Sequence, residues 1–87
     1  MNQQAASNDL KVIARAPFHV YYEGVARVVS AANKVGKFDV LPGHADFFSV
    51  MSPGEVSIET EKGPVSFDIS NGIISVRDDE VMLFVNM

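Results

Sequence analysis

Between Val56 and Ile69 the chain alternates in a way that leaves little room for anything but a β-hairpin. Val56, Ile58 and Thr60 alternate with Ser57, Glu59 and Glu61, Lys62-Gly63 reverses the chain, and Val65, Phe67 and Ile69 alternate with Ser66, Asp68 and Ser70. A period of two sends successive side chains to opposite faces, so one face of this hairpin is core and the other is wet. A helix would smear the same residues around its whole surface.

The flanking segments repeat the theme. Leu10 to Ala16 sets Leu10, Val12 and Ala14 against Lys11, Ile13 and Arg15, a first strand with one better-buried face that Pro17 ends. Phe18 to Tyr22 is aromatic and β-branched, hence a second strand, and Glu23-Gly24 is expected to turn the chain into Val25 to Asn33. That third segment has Val25, Val28, Val29 and Ala32 at helical spacing, but its valines and missing N-cap favour a strand, with room for a bulge. Asn33 to Gly36 is a loop, Lys37 to Leu41 and Phe47 to Met51 are strands parted by Pro42-Gly43, and Ser52-Pro53-Gly54 turns into the hairpin. Asn71-Gly72 leads into Ile73 to Arg77, and Asp78-Asp79 makes the last reversal. Val81 to Val85 is apolar on both faces, so it is expected to lie centrally. Short strands with a turn signal every ~8–12 residues indicate an antiparallel sandwich or small barrel.

Eighty-seven residues make one domain, too small for a deep catalytic cleft. Cysteine is absent, which removes disulfide staples, thiolate chemistry and zinc sites built on Cys, and is compatible with a reducing cytoplasm. No apolar run approaches the ~20 residues that span a bilayer. Net charge is −4, and the seven basic residues are scattered from Lys11 to Arg77, which argues against nucleic acid as a partner. Residues 1–9 are polar and lack the features of a signal or transit peptide, so a disordered leader is expected before a single domain at 10–87.

The unusual residues gather between Gly36 and Pro53, where Pro42-Gly43 presents His44 beside a sharp turn. Asp39 and Asp46 flank His44, so a metal ligand or general base is one reading and a histidine satisfied by backbone is the other. Either chemical role needs convergent partners, and the second histidine, His19, lies in a different strand.

Several signatures then line up in order: Tyr22-Glu23-Gly24-Val25 with Val28, the run from Gly36 to Ala45 containing Pro42-Gly43-His44, Ser52-Pro53-Gly54, and Phe67 to Val76 with its Ser70-Asn71-Gly72. Together, over about Leu10 to Val85, they resemble the N-terminal domain of the epsilon subunit of F-type ATP synthases, called delta in mitochondria. The resemblance implies an all-β fold, a flattened antiparallel β-sandwich of about ten short strands. It also implies a non-catalytic rotor subunit on the central stalk that helps couple the gamma subunit to the membrane c-ring during proton-driven ATP synthesis. Such a subunit needs no cofactor and no metal, and meets the membrane only through the complex, on the cytoplasmic side. Carried residue by residue, His44, Ala45, Phe48 and Ser49 become gamma contacts, and Gly36, Lys37 and Asp39 become c-ring contacts. The plainer alternatives stay open: Gly36 and Gly43 serve backbone angles, and Phe48 is core.

Positions 37–40 depart from the family. Phe38-Asp39-Val40 stands where Leu-Gly-Ile is frequent, and Lys37 where an acid is frequent. Full-length members also carry a C-terminal helical hairpin that regulates ATP hydrolysis and in some species binds ATP; it is not expected here, nor is tight ATP binding. A β-sandwich binding module of the same kind, detached from any synthase, is the alternative function.

Overall fold

A computed structural model describes residues 9–87, so the leader expected at 1–9 lies, Asp9 apart, outside the described residues. Nine strands follow in order: β1 (Leu10–Ala16), β2 (His19–Ala26), β3 (Val28–Asn33), β4 (Gly36–Val40), β5 (Phe47–Met51), β6 (Gly54–Thr60), β7 (Gly63–Ile69), β8 (Gly72–Arg77) and β9 (Glu80–Val85). They form a five-stranded sheet, ordered β2-β1-β9-β8-β5, and a four-stranded sheet, ordered β4-β3-β6-β7. The result is the expected β-sandwich, with nine strands among the described residues where about ten were anticipated.

The hairpin that organised the sequence is β6–β7, with Val56 opposite Phe67 and Ile58 opposite Val65. Its reversal is made by Glu61-Lys62, one residue earlier than expected, with the Thr60 hydroxyl accepting from the Lys62 N–H and donating to the Gly63 carbonyl. The Asp78-Asp79 turn is as anticipated. Both residues hold positive φ, 51° and 62°, the twist that suits a two-residue hairpin loop and that Asp tolerates well.

Two expectations are corrected. Glu23-Gly24 is not a turn: β2 runs straight through it, with Gly24 opposite Val12, and the chain changes sheets at Arg27, whose N–H donates to the Glu59 carbonyl. Gly24 serves packing instead, because a Cβ there would stand 3.0 Å from the Tyr22 hydroxyl, which folds back to donate to the Val25 carbonyl. The ladder is also not antiparallel throughout. β1 and β9 pair in parallel, Lys11 with Glu80 through Arg15 with Phe84, joining the two ends of the chain. Local alternation carries no information about such a distant partner.

The core between the sheets is aliphatic. Leu10, Ile58, Ile74 and Leu83 are its largest fully buried side chains, with Val29, Val40, Val56, Val81 and Val85 around them. Aromatic rings sit at its margin: Tyr21 stacks on Phe67 at 4.3 Å, and Phe38 meets Phe47 edge-on at 5.2 Å. Asn86 ties this margin together, its amide donating to the Tyr21 hydroxyl and accepting from the Ser70 N–H.

The directions of the strands give the sandwich two distinct ends. The turns at Pro17-Phe18, Lys34-Val35, Ser52-Pro53 and Ser70-Asn71 crowd what we term the upper end, and Ala26-Arg27, the 41–46 loop, Glu61-Lys62 and Asp78-Asp79 the lower end.

Leu83 is wholly buried on the middle strand of the five-stranded sheet. Truncating it to alanine should destabilise the domain by about 2–5 kcal/mol, read as a lower denaturant midpoint at constant m-value.

Candidate functional site

The turn that follows β4 is held from below. The Gly43 N–H donates to the Asp79 carboxylate at 2.7 Å, and Gly43 takes φ 85°, a left-handed angle that glycine adopts at no steric cost. The His44 N–H donates to the Leu41 carbonyl at 3.1 Å, closing the loop. The half-buried imidazole donates from Nδ1 to the Ala45 carbonyl at 2.7 Å and lies edge-on to Phe47, 5.5 Å between centroids. His44 is thus satisfied by backbone and an aromatic neighbour. Asp39 is occupied elsewhere, on the outer face of the four-stranded sheet, accepting from the Ser30 hydroxyl at 2.7 Å. Among the described residues, no three His, Cys, Asp or Glu side chains gather in a metal-binding group.

Past the turn, β5 alternates cleanly. Phe47, Ser49 and Met51 point inward, half-buried to buried, and Phe48 and Val50 point outward, each 67% exposed. Ser49 instead closes an edge: its hydroxyl accepts from the Asn33 amide on β3 at 3.1 Å and donates to the Val50 carbonyl. The four residues expected to meet gamma therefore separate. Phe48 is on the outer face of the five-stranded sheet, Ser49 faces β3, His44 packs on Phe47, and Ala45 is exposed in the loop.

Of the residues expected to meet the c-ring, Gly36 and Lys37 open β4 at the upper end. Lys37 and Asp39 share the outer face of the four-stranded sheet, registered opposite Ala32 and Ser30. Asp39 sits two residues, about 6.6 Å, further down the strand.

The feature that sequence reasoning missed is a contrast between the two outer faces. On the four-stranded sheet Ser30, Ser57 and Ser66 lie in register, with Lys37, Asp39, Glu55, Glu59 and Asp68 around them, the wetted face an exposed sheet should have. On the five-stranded sheet two rows cross the strands: Ile13, Met82, Ser75 and Phe48, then Arg15, Phe84, Ile73 and Val50. Six of these eight are apolar. A shallow depression of about 400 Å³ adjoins them, lined by Ile13, Val25 and Met82 and rimmed by Lys11, Glu23 and Glu80. The signal was present in the sequence as Ile73-Ile74 and Met82-Leu83-Phe84, where both phases of the alternation are apolar. For Val81 to Val85 that pattern implies a central strand. β9 is indeed central in its sheet, yet Met82 on its outer side is 43% exposed.

An outer sheet face this apolar is a candidate protein-docking surface. Comparison with known proteins gives that surface a context. The family model of the ATP synthase delta/epsilon chain β-sandwich domain matches residues 9–87. The chain belongs to that family.

It is 41% identical over 63 residues to the ATP synthase epsilon chain of Ruthia magnifica subsp. Calyptogena magnifica, covering 72% of this chain and 46% of that one. It is 30% identical over 76 residues to the epsilon chain of Trichlorobacter lovleyi, covering 87% and 55% respectively. The chain thus spans about half the length of the curated relatives it matches. In fold it is similar to a chain of the Euglena gracilis mitochondrial ATP synthase, TM-score 0.83 at 19% identity, over 92% of this chain and 52% of that one. A Tetrahymena thermophila mitochondrial ATP synthase central stalk/c-ring structure gives TM-score 0.73 at 18% identity, over 87% and 62%.

For this delta/epsilon-type domain the alternation in β5 separates a packed ring from an exposed one. Phe47→Ala should cost about 1–3 kcal/mol, less than a fully buried phenylalanine because Phe47 is only half-buried. Phe48→Ala should change stability by less than about 0.5 kcal/mol. Chemical unfolding of the two variants side by side checks the assignment, and equal losses would place both rings in the core.

Proposed function

We propose that this chain is a non-catalytic rotor subunit of an F-type ATP synthase, and that it binds the gamma subunit through the outer face of its five-stranded sheet. The observation that carries the reading is the apolar stripe through Ile13, Met82, Phe84, Ile73, Phe48 and Val50, set against the serine-rich, charged face of the other sheet. Family membership supports the rest: the curated relatives are epsilon chains, and the two similar folds come from structures described as an F1/c-ring assembly and a central stalk with its c-ring.

In this reading Phe48 is the central gamma anchor among the residues expected from sequence, and His44 and Ala45 act indirectly, by holding the loop that leads into β5. The upper end, with Gly36 and Lys37, faces the c-ring. Coupling then follows from rigidity, because a sandwich fixed to gamma on a sheet face and to the ring at one end transmits torque without chemistry of its own. The subunit lies at the membrane only as a peripheral part of the complex, on its cytoplasmic side.

The deciding experiment is retention of the purified chain on a gamma–c-ring complex from the same source. Stable retention supports the rotor reading, and failure to bind either partner leaves the detached module. The face itself is tested by Phe48→Ser and Ile73→Lys, each expected to weaken gamma binding by about 1–3 kcal/mol while thermal stability holds. Unchanged affinity in both would move the interface off this sheet.

Charge at the ring end is a separate, weaker matter. Lys37 and Asp39 are both exposed. Exposed pairs contribute about 0.2–1 kcal/mol and fade with salt. Asp39→Asn should weaken c-ring association at low salt and Lys37→Glu should strengthen it, with both effects shrinking at high salt. Binding indifferent to both changes would remove Asp39 as the acidic contact.

A further inference from the structure

The two outer faces differ in charge as much as in apolar surface. On the four-stranded sheet one cation, Lys37, stands among four carboxylates, Asp39, Glu55, Glu59 and Asp68. On the five-stranded sheet the outward positions carry three cations, Lys11, Arg15 and Arg77, and two carboxylates, Glu23 and Glu80. A chain of net charge −4 therefore keeps a surplus cation on the sheet face that is also apolar.

Strand register shows which cation that is. Glu80 lies opposite Lys11 on one side and Arg77 on the other, so both have a carboxylate beside them. Arg15 has none. Its ladder partners are Val20 and Phe84, Ile73 and Val50 continue the row, and Ile13 is its neighbour along the strand on the same face. A guanidinium stays charged at any working pH and offers its N–H donors in a planar fork that fits a carboxylate through two parallel bonds. In the free chain Arg15 is exposed, and water satisfies it. Under a partner that covers Val20, Phe84 and Ile73 that water is lost, and a cation left without an acceptor opposes binding.

We propose that Arg15 is the specificity contact of the apolar face, and that gamma meets it with the carboxylate of an Asp or Glu set in an apolar patch. The assignment rests on the reading that gamma binds the five-stranded sheet. With that acid in place, every cation of the face has a carboxylate beside it. Apolar contact supplies the affinity, and the ion pair selects partner and register, because a surface without the acid leaves the guanidinium unpaired. A phosphate-rich partner fits less well, since Glu23 and Glu80 share the face and would repel it.

The test measures binding of the full chain to the gamma subunit from the same source, with Phe48→Ser as the marker of the face. Arg15→Met keeps the length and apolar stem of the side chain, and should weaken binding about tenfold at an unchanged unfolding midpoint. Lys11→Met removes a cation that Glu80 already faces, and should change affinity by less than about threefold. Arg15→Lys should recover part of the loss. Treating that variant's complex with a water-soluble carbodiimide should form an amide between the substituted side chain and a gamma Asp or Glu, found by peptide mass spectrometry. If the wild-type chain does not bind gamma, or Phe48→Ser binds as well as wild type, the reading of the face fails and this inference with it. If Phe48→Ser weakens binding while Arg15→Met binds like wild type, the guanidinium stays hydrated at the rim and only this inference is overturned. A loss in Arg15→Met with no cross-link from residue 15 to a gamma carboxylate overturns the acid as its partner.

Discussion

The parallel ladder between β1 and β9 holds this molecule together. It joins the first strand to the last, and without it the five-stranded sheet would part into a β1–β2 hairpin and a three-stranded β9–β8–β5 piece. The Lys11 N–H extends the ladder by one bond to the Asp79 carbonyl, and the carboxylate of the same Asp79 holds the Gly43 N–H. One turn residue thus registers the N-terminal strand, the C-terminal hairpin and the loop after β4. The Pro-Gly-His segment closes by its own turn, through the Leu41–His44 bond and the positive φ of Gly43, and tertiary contact with Asp79 fixes where that turn sits.

That ladder also makes the outer face of the sheet. Side chains opposite each other in a ladder share a face, so the parallel pairing places Ile13 beside Met82 and, through β8 and β5, in line with Phe48. The apolar residues are dispersed in sequence and contiguous only once β9 lies between β1 and β8. Burial of such a stripe against a partner would recover hydrophobic free energy that the isolated domain forgoes, in keeping with the rotor role proposed for the chain. The opposite face turns its serines and carboxylates outward.

His44 shows how a conspicuous residue can be structural. Its neighbours in sequence, Asp39 and Asp46, suggested convergence, but strand geometry sends Asp39 to Ser30 on an outer face, and the imidazole finds the Ala45 carbonyl and the Phe47 ring. Ser49 stands next to Phe48 among the gamma contacts that the resemblance implies. The period of two sends it to the other side, where it closes the edge of β5 against Asn33.

The sequence by itself determined the nine strands, most of their boundaries to within a residue outside β2 and β3, the β6–β7 hairpin and the inward faces of β1, β6 and β7, because alternation and turn chemistry act over a few residues and are written there. It also sufficed for the family resemblance, through the order and spacing of short signatures such as Pro42-Gly43-His44. Only tertiary structure decided that β2 runs through Glu23-Gly24, where the room needed by the Tyr22 ring makes glycine a packing residue rather than a turn. Only tertiary structure decided that both phases of β9 are apolar for different reasons, one facing core and one facing outward. Pairing between strands seventy residues apart depends on which surfaces the collapsed chain can bury together, and that is a property of the assembled sheets, not of any local pattern.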